Sequence, residues 1–335
     1  MKKLETDNLV SVNEDITDMS FGNPPSQRPI EQLLEYGLIP LDKPAGPTSH
    51  EVVAWVRRLL GVKKAGHSGT LDPGVTGLLP LGLGEGTKVL STLLLGPKEY
   101  HAVARLHDSV DDVKLSKILD EFTGEIYQKP PQRSSVKRVT RSRRIYELEL
   151  LEKQGNLLLL RILCQAGTYI RKLIYDIGEV LGPGATMIEL RRSRVCHIRE
   201  VDGLVRLHDL AYAINKLREE GTEDHLRKLV KPVEFATSWL KTVVMRDSAV
   251  DAICHGAQLA IPGICKSSQD IVKGDSVAMY TLKGELVAIG EALMTTNEIL
   301  AAQHGLALTT KRVILKAGTY PRLWKVKQKS SEDTD

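Results

Sequence analysis

The segment GHSGTLDPGVTG occupies residues 66–77 and surrounds one acid, Asp72, with glycine, serine and threonine. Proline follows the acid at Pro73 and restricts the backbone conformation of the aspartate before it. A loop aspartate of this kind is most often a turn residue whose side chain bonds nearby backbone amides. The same composition also suits a loop that presents a carboxylate to a substrate. The local sequence leaves both interpretations open.

The residues on either side of this loop predict regular structure. Thr48 and Glu51 have the spacing of a helix-capping box, and HEVVAWVRRLL then has apolar residues at helical spacing until Gly61. After the loop, LLPLGLGEGTKV predicts a short apolar strand and a glycine-rich turn. ELELLE and NLLLLRILC predict a hairpin, and GTYIRKLIYDIGEVLG predicts a helix that Gly182 ends.

The residue pattern changes after Pro232, where short predicted strands separated by glycine replace longer helical patterns. We place a domain boundary near Trp239. The part before it mixes sheet and helix, which is typical of an α+β fold. The predicted organisation is an N-terminal arm that packs on the C-terminal domain, a large α+β domain, a small β-rich domain and a disordered tail, at residues 1–35, 36–239, 240–326 and 327–335.

Composition excludes several classes of protein. The 335 residues include no apolar run long enough to cross a membrane, and the acidic start lacks the apolar core of a secretion signal. The four cysteines form no CxxC pair, which argues against a disulfide framework or zinc cluster and fits a reducing cytoplasm. The nine histidines form no HxxxH or HExxH pair, so we expect no metal site.

The net charge of +4 hides two segregated basic stretches without acids. Residues 129–144 carry Lys129, Arg133, Lys137, Arg138, Arg141, Arg143 and Arg144. Residues 311–329 carry Lys311, Arg312, Lys316, Arg322, Lys325, Lys327 and Lys329. Either stretch alone is typical of a solvated surface. Together they favour a polyanionic partner, because each phosphate that a cation neutralises releases counterions.

Arg171 is the second candidate for chemistry beside Asp72. It opens the helix predicted over GTYIRKLIYDIGEVLG, where a cation opposes the helix dipole. One interpretation is a surface salt bridge; the other is an arginine that orients a functional carboxylate. Other catalytic signatures are absent: LGLGEGTK lacks the spacing of a phosphate-binding loop, and the chain has no GxSxG motif.

Taken together, these motifs resemble the TruB-type pseudouridine synthases. The likeness is greater to the archaeal and eukaryotic branch typified by dyskerin, the catalytic subunit of box H/ACA ribonucleoproteins. It covers about residues 36–324, and the segment from ICHGAQLAIPGI onward resembles a PUA RNA-binding domain. The segments that carry it are LIPLDKPAGPTSHEVVAWVRRLL, GHSGTLDPGVTGLLPLGLGEGTKV, GPKEY, QKPPQRSSVKRVTRSRRIYELELLE and CQAGTYIRKLIYDIGEVLGPGATMIELRRSR.

The resemblance implies an α+β pseudouridine synthase fold with a central mixed or antiparallel sheet and flanking helices, followed by a PUA barrel. The catalytic residues that it implies are Asp72, Tyr100, Tyr169 and Arg171. The implied substrate pocket contains His67, Thr70 and Leu190. The expected RNA contacts are Lys43, Arg133, Lys137, Arg138, Arg141, Arg143, Arg144, His255, Gly256, Lys316 and Arg322. The chain departs from related sequences at Gly74, where a lysine is frequent, and at Ser135, where alanine is common.

The implied function is RNA-guided isomerisation of uridine to pseudouridine in rRNA, without a cofactor. The expected partners are a box H/ACA guide RNA, substrate rRNA or tRNA, and three small ribonucleoprotein core proteins, in the cytoplasm and away from membranes. Two alternatives stay open. One is a stand-alone tRNA pseudouridine-55 synthase, or a protein with both activities. The other is a non-catalytic RNA-binding scaffold.

Overall fold

A computed structural model describes residues 8–130 and 137–322. Contacts divide these residues into two units. One unit runs from Gly37 to Lys231, and the other contains the described residues up to Tyr36 together with those from Pro232 onward. The contacts therefore assign residues 232–239 to the second unit, although we expected the boundary near Trp239. The expected tail at residues 327–335 lies outside the described residues.

The described residues form nine α-helices and seventeen strands. The helices are α1 (Ile30–Glu35), α2 (Ser49–Leu60), α3 (Leu90–Leu95), α4 (Asp112–Glu121), α5 (Ile170–Leu181), α6 (Leu207–Glu220), α7 (Asp224–Leu229), α8 (Asp247–Cys254) and α9 (Thr296–Ala301). The strands are β1 (Leu9–Ser11), β2 (Gly37–Lys43), β3 (Ala65–His67), β4 (Thr76–Leu83), β5 (Lys98–Leu106), β6 (Gly124–Gln128), β7 (Arg141–Gln154), β8 (Leu157–Cys164), β9 (Ala185–Val195), β10 (Ile198–Arg199), β11 (Lys231–Pro232), β12 (Lys241–Met245), β13 (Leu259–Ala260), β14 (Ile264–Ser268), β15 (Ser276–Thr281), β16 (Leu286–Ala292) and β17 (Leu306–Val313).

The unit from Gly37 to Lys231 is built on one large mixed sheet, with strands in the order β2-β4-β9-β5-β8-β7-β6. The β4–β9 pair is parallel, and the other neighbouring pairs in this order are antiparallel. Helices α4 and α5 bury their apolar faces against the β5–β8 region in a single hydrophobic cluster. This arrangement confirms the predicted α+β fold with a mixed sheet and flanking helices.

Local sequence patterns account for the elements around the site. Thr48 caps α2 through a capping box with Glu51, and Gly61 ends the helix in the left-handed region. Strands β7 and β8 form the predicted hairpin. Helix α5 buries the apolar face that the sequence predicted and ends at Gly182. The predicted glycine-rich turn is a short 3-10 helix over Gly84–Val89.

The second unit contains a seven-stranded sheet in the order β1-β14-β12-β15-β16-β17-β13. Residues near the N-terminus contribute its first strand, since β1 pairs antiparallel with β14. A buried ion pair also fixes this N-terminal segment: the guanidinium of Arg28 donates to both carboxylate oxygens of Glu234 at 2.9 and 2.6 Å. Residues 8–36 are therefore an integral part of the β-rich unit.

Gly77 lies where β4 pairs with β9, opposite Arg192. Its φ is +99°, and a Cβ at this position would lie 2.4 Å from the carbonyl oxygen of Arg192. Both the left-handed backbone and the neighbouring main chain therefore require glycine. By contrast, a Cβ at Gly74 would have no atom within 4 Å.

We expect Gly77→Ala to lower the free energy of unfolding by about 2–4 kcal/mol, because it adds backbone strain to a main-chain clash. Gly74→Ala is the matched control and should change stability little. Urea denaturation of both variants measures the difference. Equal stability of the two variants would contradict the required close approach of β4 and β9.

Candidate active site

The centre of the candidate site is an ion pair between Asp72 and Arg171. Nη2 of Arg171 donates to Oδ2 of Asp72 at 2.8 Å, across 99 residues of sequence. Both side chains are open to solvent, with 59% of the Asp72 side chain and 65% of the Arg171 side chain exposed. An ion pair this exposed contributes little to folding stability. Its accessibility instead allows a substrate to reach the carboxylate.

Ser49 holds the loop immediately before the aspartate. This serine is fully buried at the start of α2. Its hydroxyl accepts a hydrogen bond from the Leu71 amide at 2.9 Å and donates to the Leu71 carbonyl at 3.0 Å. Because Leu71 directly precedes Asp72, the two bonds fix the backbone from which the catalytic candidate projects.

Lys43 holds the same loop on the side after the aspartate. Its ammonium donates to the carbonyl oxygens of Pro44, Pro73 and Val75 at 2.9, 3.0 and 2.9 Å. Lys43 is fully buried, so the expectation that it contacts RNA is wrong. Burial lowers the pKa of Lys43, and the nearby charge of Asp72 opposes that shift. Lys43 anchors the loop around Asp72, although its charge had suggested a contact with phosphate.

Arg192 connects the loop with the central strands. Only 1% of this residue is exposed. Its Nε donates to the Leu78 carbonyl at 2.8 Å, and its Nη2 donates to the Gly69 carbonyl at 3.1 Å. Arg192 also lies opposite Tyr100 in the β5–β9 register. One buried arginine therefore joins the Asp72 loop to the strand that carries the expected stacking tyrosine.

Tyr100 and Leu190 lie on neighbouring strands, β5 and β9, and both pack against the hydrophobic cluster of the sheet. Leu190 pairs with Ala102, two residues beyond Tyr100. Burial raises the pKa of the Tyr100 phenol, and Arg192 opposes that shift. The two residues supply an aromatic ring and an apolar side chain on adjacent strands, as a base-binding pocket would require.

His67 and Thr70 lie five and two residues before Asp72 in the sequence. His67 ends β3, and its ring meets that of His50 edge to face, with centroids 5.1 Å apart. Burial lowers the pKa of His67, with smaller contributions from the charges of His50 and Arg192. Thr70 is exposed on the loop. Tyr169 is the N-cap residue of α5, two positions before Arg171.

The first basic stretch is partly visible. Arg133 lies outside the described residues. Exposed side chains belong to Lys137, Arg138, Arg141 and Arg144. Arg143 is half-buried, and its guanidinium covers Gly167, where an added Cβ would lie 3.1 Å from Nη2. The solvent-facing cations are available to RNA, whereas Arg143 packs against the loop that leads to Tyr169.

The second unit has a cleft of its own, with a volume of about 510 Å³. It is lined by Asp251, His255, Ala317, Gly318, Tyr320, Pro321 and Arg322. The exposed Gly256 follows His255 with φ at +89°. Lys316 forms an ion pair with Glu35 at 2.9 Å. Of the expected RNA contacts in this unit, His255 and Arg322 line the cleft.

Two structural features are absent from the part of the chain that the structure describes. Residues 8–130 and 137–322 contain no cluster of histidine, cysteine, aspartate and glutamate that could hold a metal ion. Within the same ranges, no helix combines the length and apolar character needed to cross a membrane.

Comparison with curated proteins decides the family. The chain is 51% identical over 321 residues to a protein of Pyrobaculum aerophilum named "Probable tRNA pseudouridine synthase B", with 96% of each chain covered. A protein of the same name from Methanopyrus kandleri is 51% identical over 319 residues, covering 95% of this chain and 94% of the relative. The chain belongs to the TruB family of pseudouridine synthases.

Family models divide this pseudouridine synthase into four parts. The N-terminal domain of TruB family pseudouridylate synthases matches residues 57–170, and the tRNA pseudouridylate synthase B C-terminal domain matches 171–238. A PUA domain matches 241–314, and a DKCLD domain matches 2–53. The first two matches together include Asp72, Tyr100, Tyr169 and Arg171.

Solved structures extend the likeness to three dimensions. One chain of an H/ACA RNP bound to a substrate RNA containing 2′-deoxyuridine is 45% identical, with a TM-score of 0.88 and coverage of 94% of this synthase and 97% of that chain. A chain of a Cbf5-Nop10-Gar1 complex is 47% identical, with a TM-score of 0.88 and coverage of 93% and 95%. The TruB-like fold with a PUA domain is thereby confirmed.

The roles of Ser49 and Arg192 were not predicted from the sequence. Ser49 lies in a segment that we had assigned only to the start of a helix. Ser49 provides a direct test of the loop. We expect Ser49→Ala to lower the free energy of unfolding by about 1–3 kcal/mol, because the buried backbone groups of Leu71 lose their partner. It should also lower the rate of pseudouridine formation, since Asp72 directly follows Leu71, whose backbone would lose its anchor.

Ser91→Ala is the control, because Ser91 is an exposed serine on α3. Urea denaturation and single-turnover pseudouridine formation measure the two effects. If Ser49→Ala matched Ser91→Ala in both measurements, the serine would have no part in holding the loop.

Proposed function

We propose that this pseudouridine synthase uses Asp72 as its catalytic carboxylate and modifies rRNA under the direction of a box H/ACA guide RNA. The observation that supports the catalytic assignment is the solvent-open ion pair between Asp72 and Arg171 on two rigidly held segments. The backbone before this carboxylate is anchored by Ser49, and its side chain is open, so a substrate can reach an oxygen whose position is set by the fold.

The reaction sets clear demands on the site. The N1 glycosidic bond of uridine breaks, the base turns, and a bond forms between C5 and the sugar. Atoms and oxidation state are conserved. The ionised carboxylate serves as nucleophile or as base, and both roles need a fixed, accessible oxygen. Arg171 bonds Oδ2 of Asp72, while within the described residues no hydrogen bond to Oδ1 is seen.

The surrounding side chains suit a base that has left the helical stack. In this proposal, Tyr100 supplies the stacking ring and Leu190 the apolar wall, while Tyr169 approaches from the start of α5. His67 and Thr70 border the nucleotide from the Asp72 loop. The exposed cations from Lys137 to Arg144 bind the phosphate backbone, as expected for positioning contacts that carry no base specificity.

We expect Asp72→Asn to abolish tritium release from 5-tritiated uridine in RNA, because the neutral amide can act neither as nucleophile nor as base. RNA affinity and the unfolding transition should stay near those of the unaltered protein. Asp176→Asn is the control, since Asp176 forms an ion pair with Lys172 on the same helix as Arg171. Turnover that persists in a clean Asp72→Asn preparation would remove Asp72 from the chemistry.

Similar proteins supply the evidence on whether this chain acts with or without a guide RNA. Structures similar over more than 90% of this chain belong to an H/ACA RNP with substrate RNA and to a Cbf5-Nop10-Gar1 complex. These support guide RNA, substrate RNA and small proteins as partners of this chain. The curated relatives at about 50% identity are instead named tRNA pseudouridine synthase B, which supports a tRNA activity as the second candidate.

One assay separates the two. We expect rRNA fragments to be modified only when a complementary guide RNA and the small partner proteins are present, because the chain then reads sequence through RNA pairing. A tRNA transcript without guide tests the second activity in parallel. Modification of tRNA alone, with no product on guided rRNA, would assign the chain to the unguided class.

A further inference from the structure

Gln128 is a buried polar residue beside the start of α5. It ends β6, and only 2% of it is exposed. Its Oε1 accepts a hydrogen bond from the Tyr169 amide at 2.9 Å, and its Nε2 donates to the Tyr169 carbonyl at 3.1 Å. Both ends of one side-chain amide are therefore used on the backbone of a single residue.

Tyr169 is the position from which α5 begins. As N-cap residue it makes no capping bond with its own side chain, and its carbonyl accepts the first helical hydrogen bond from Leu173 at 3.0 Å. Without a capping hydrogen bond from its N-cap side chain, a helix loses one of the contacts that usually fix its first turn. Gln128 supplies from another strand the hydrogen bonds that fix this entry.

Arg171 depends on this fixed entry. Its side chain is largely exposed, so packing does little to aim it. The point from which its side chain extends towards Asp72 is set by the backbone of the first turn of α5, which starts two residues earlier at the Tyr169 anchor. A change at that anchor would move Arg171 relative to Asp72.

The preceding loop is held by separate contacts. The Gln165 amide donates to the Arg144 carbonyl at 2.8 Å, and the Arg144 amide donates to Oε1 of Gln165 at 3.1 Å. These bonds fix the exposed part of the loop at Gln165, four residues before Tyr169. Loosening Gln128 would therefore free the start of α5 without releasing the whole loop.

We propose that Gln128 is a positioning residue for the reaction: its paired hydrogen bonds to the Tyr169 backbone set the geometry of Tyr169 and Arg171 against Asp72. The proposal rests on the proposed catalytic role of Asp72. It distinguishes Gln128 from the basic residues that follow it in sequence, because a buried amide fixes geometry and does not bind phosphate.

The main test is Gln128→Met, which keeps the volume and removes both hydrogen bonds. Under single-turnover conditions at saturating RNA, we expect the rate to fall at least about tenfold, since small displacements of catalytic groups cost up to a hundredfold. The RNA dissociation constant should change less than about twofold, because no phosphate contact is lost. Gln165→Leu, which alters the loop but not Tyr169, should keep a rate within about threefold of the unaltered enzyme.

A second variant uses pH to test the hydrogen bond that Gln128 donates to the Tyr169 carbonyl. The carboxylate of Gln128→Glu can accept from the Tyr169 amide but repels its carbonyl, whereas the protonated acid can both accept and donate. Arg141 lies opposite Gln128 in the β6–β7 register, so the reference and the Glu variant both carry Arg141→Gln, which removes that cation. We expect the rate of the Glu variant, relative to the reference, to rise severalfold as pH falls from about 8 to about 5.5.

Three results would overturn the inference: an unchanged rate in Gln128→Met, a rate loss matched by an equal loss of RNA affinity, or a Glu-to-reference rate ratio that is constant with pH. Thermal melting of each variant shows whether it is folded at the assay temperature. Failure of the catalytic proposal is separately visible, because Asp72→Asn would then retain turnover whatever Gln128 does.

Discussion

The site depends on one constraint: two exposed side chains from distant parts of the chain, Asp72 and Arg171, must keep a fixed geometry. Their 2.8 Å contact is too solvent-exposed to hold them in place by its own energy. The geometry must therefore come from the backbones that carry them. Asp72 stands on a loop without regular structure and Arg171 on the first turn of α5, so each needs its own support.

Buried polar side chains provide that support in each case. Ser49 and Lys43 hold the main chain on the two sides of Asp72, Arg192 holds it at Gly69, and Gln128 holds Tyr169. Each of these side chains bonds to backbone atoms, so each fixes the position of the main chain without engaging the Asp72 or Arg171 side chain. Burying a polar group costs free energy unless its hydrogen bonds are made. The fold is therefore stable only when these side chains hold the backbone of the site in the observed geometry.

The sequence predicted what depends on local pattern. The capped helix α2, the β7–β8 hairpin and α5 all follow from spacing within short windows, and the loop aspartate and helix-start arginine were singled out by their unusual settings. Gln128 and Ser49 were missed because their partners are backbone groups 41 and 22 residues away. A backbone partner leaves no pattern in the side-chain sequence, so such contacts become visible only when the chain is folded.

The basic residues show the same limit of sequence-based prediction. Some of them are buried in the fold and others are exposed to solvent, although their charges are equal. Lys43 is sealed behind the Asp72 loop, and in LRRSR Arg191 bonds Asp42 at 3.0 Å while Arg192 is buried. Arg138 and Arg144 face solvent. Burying a cation requires a full set of acceptors, which the crowded carbonyls and carboxylates near the site supply and an open strand does not. Cations close to the Asp72 loop therefore hold that loop in place, and those on the exposed end of the hairpin stay in solvent, where the proposed function has them bind RNA.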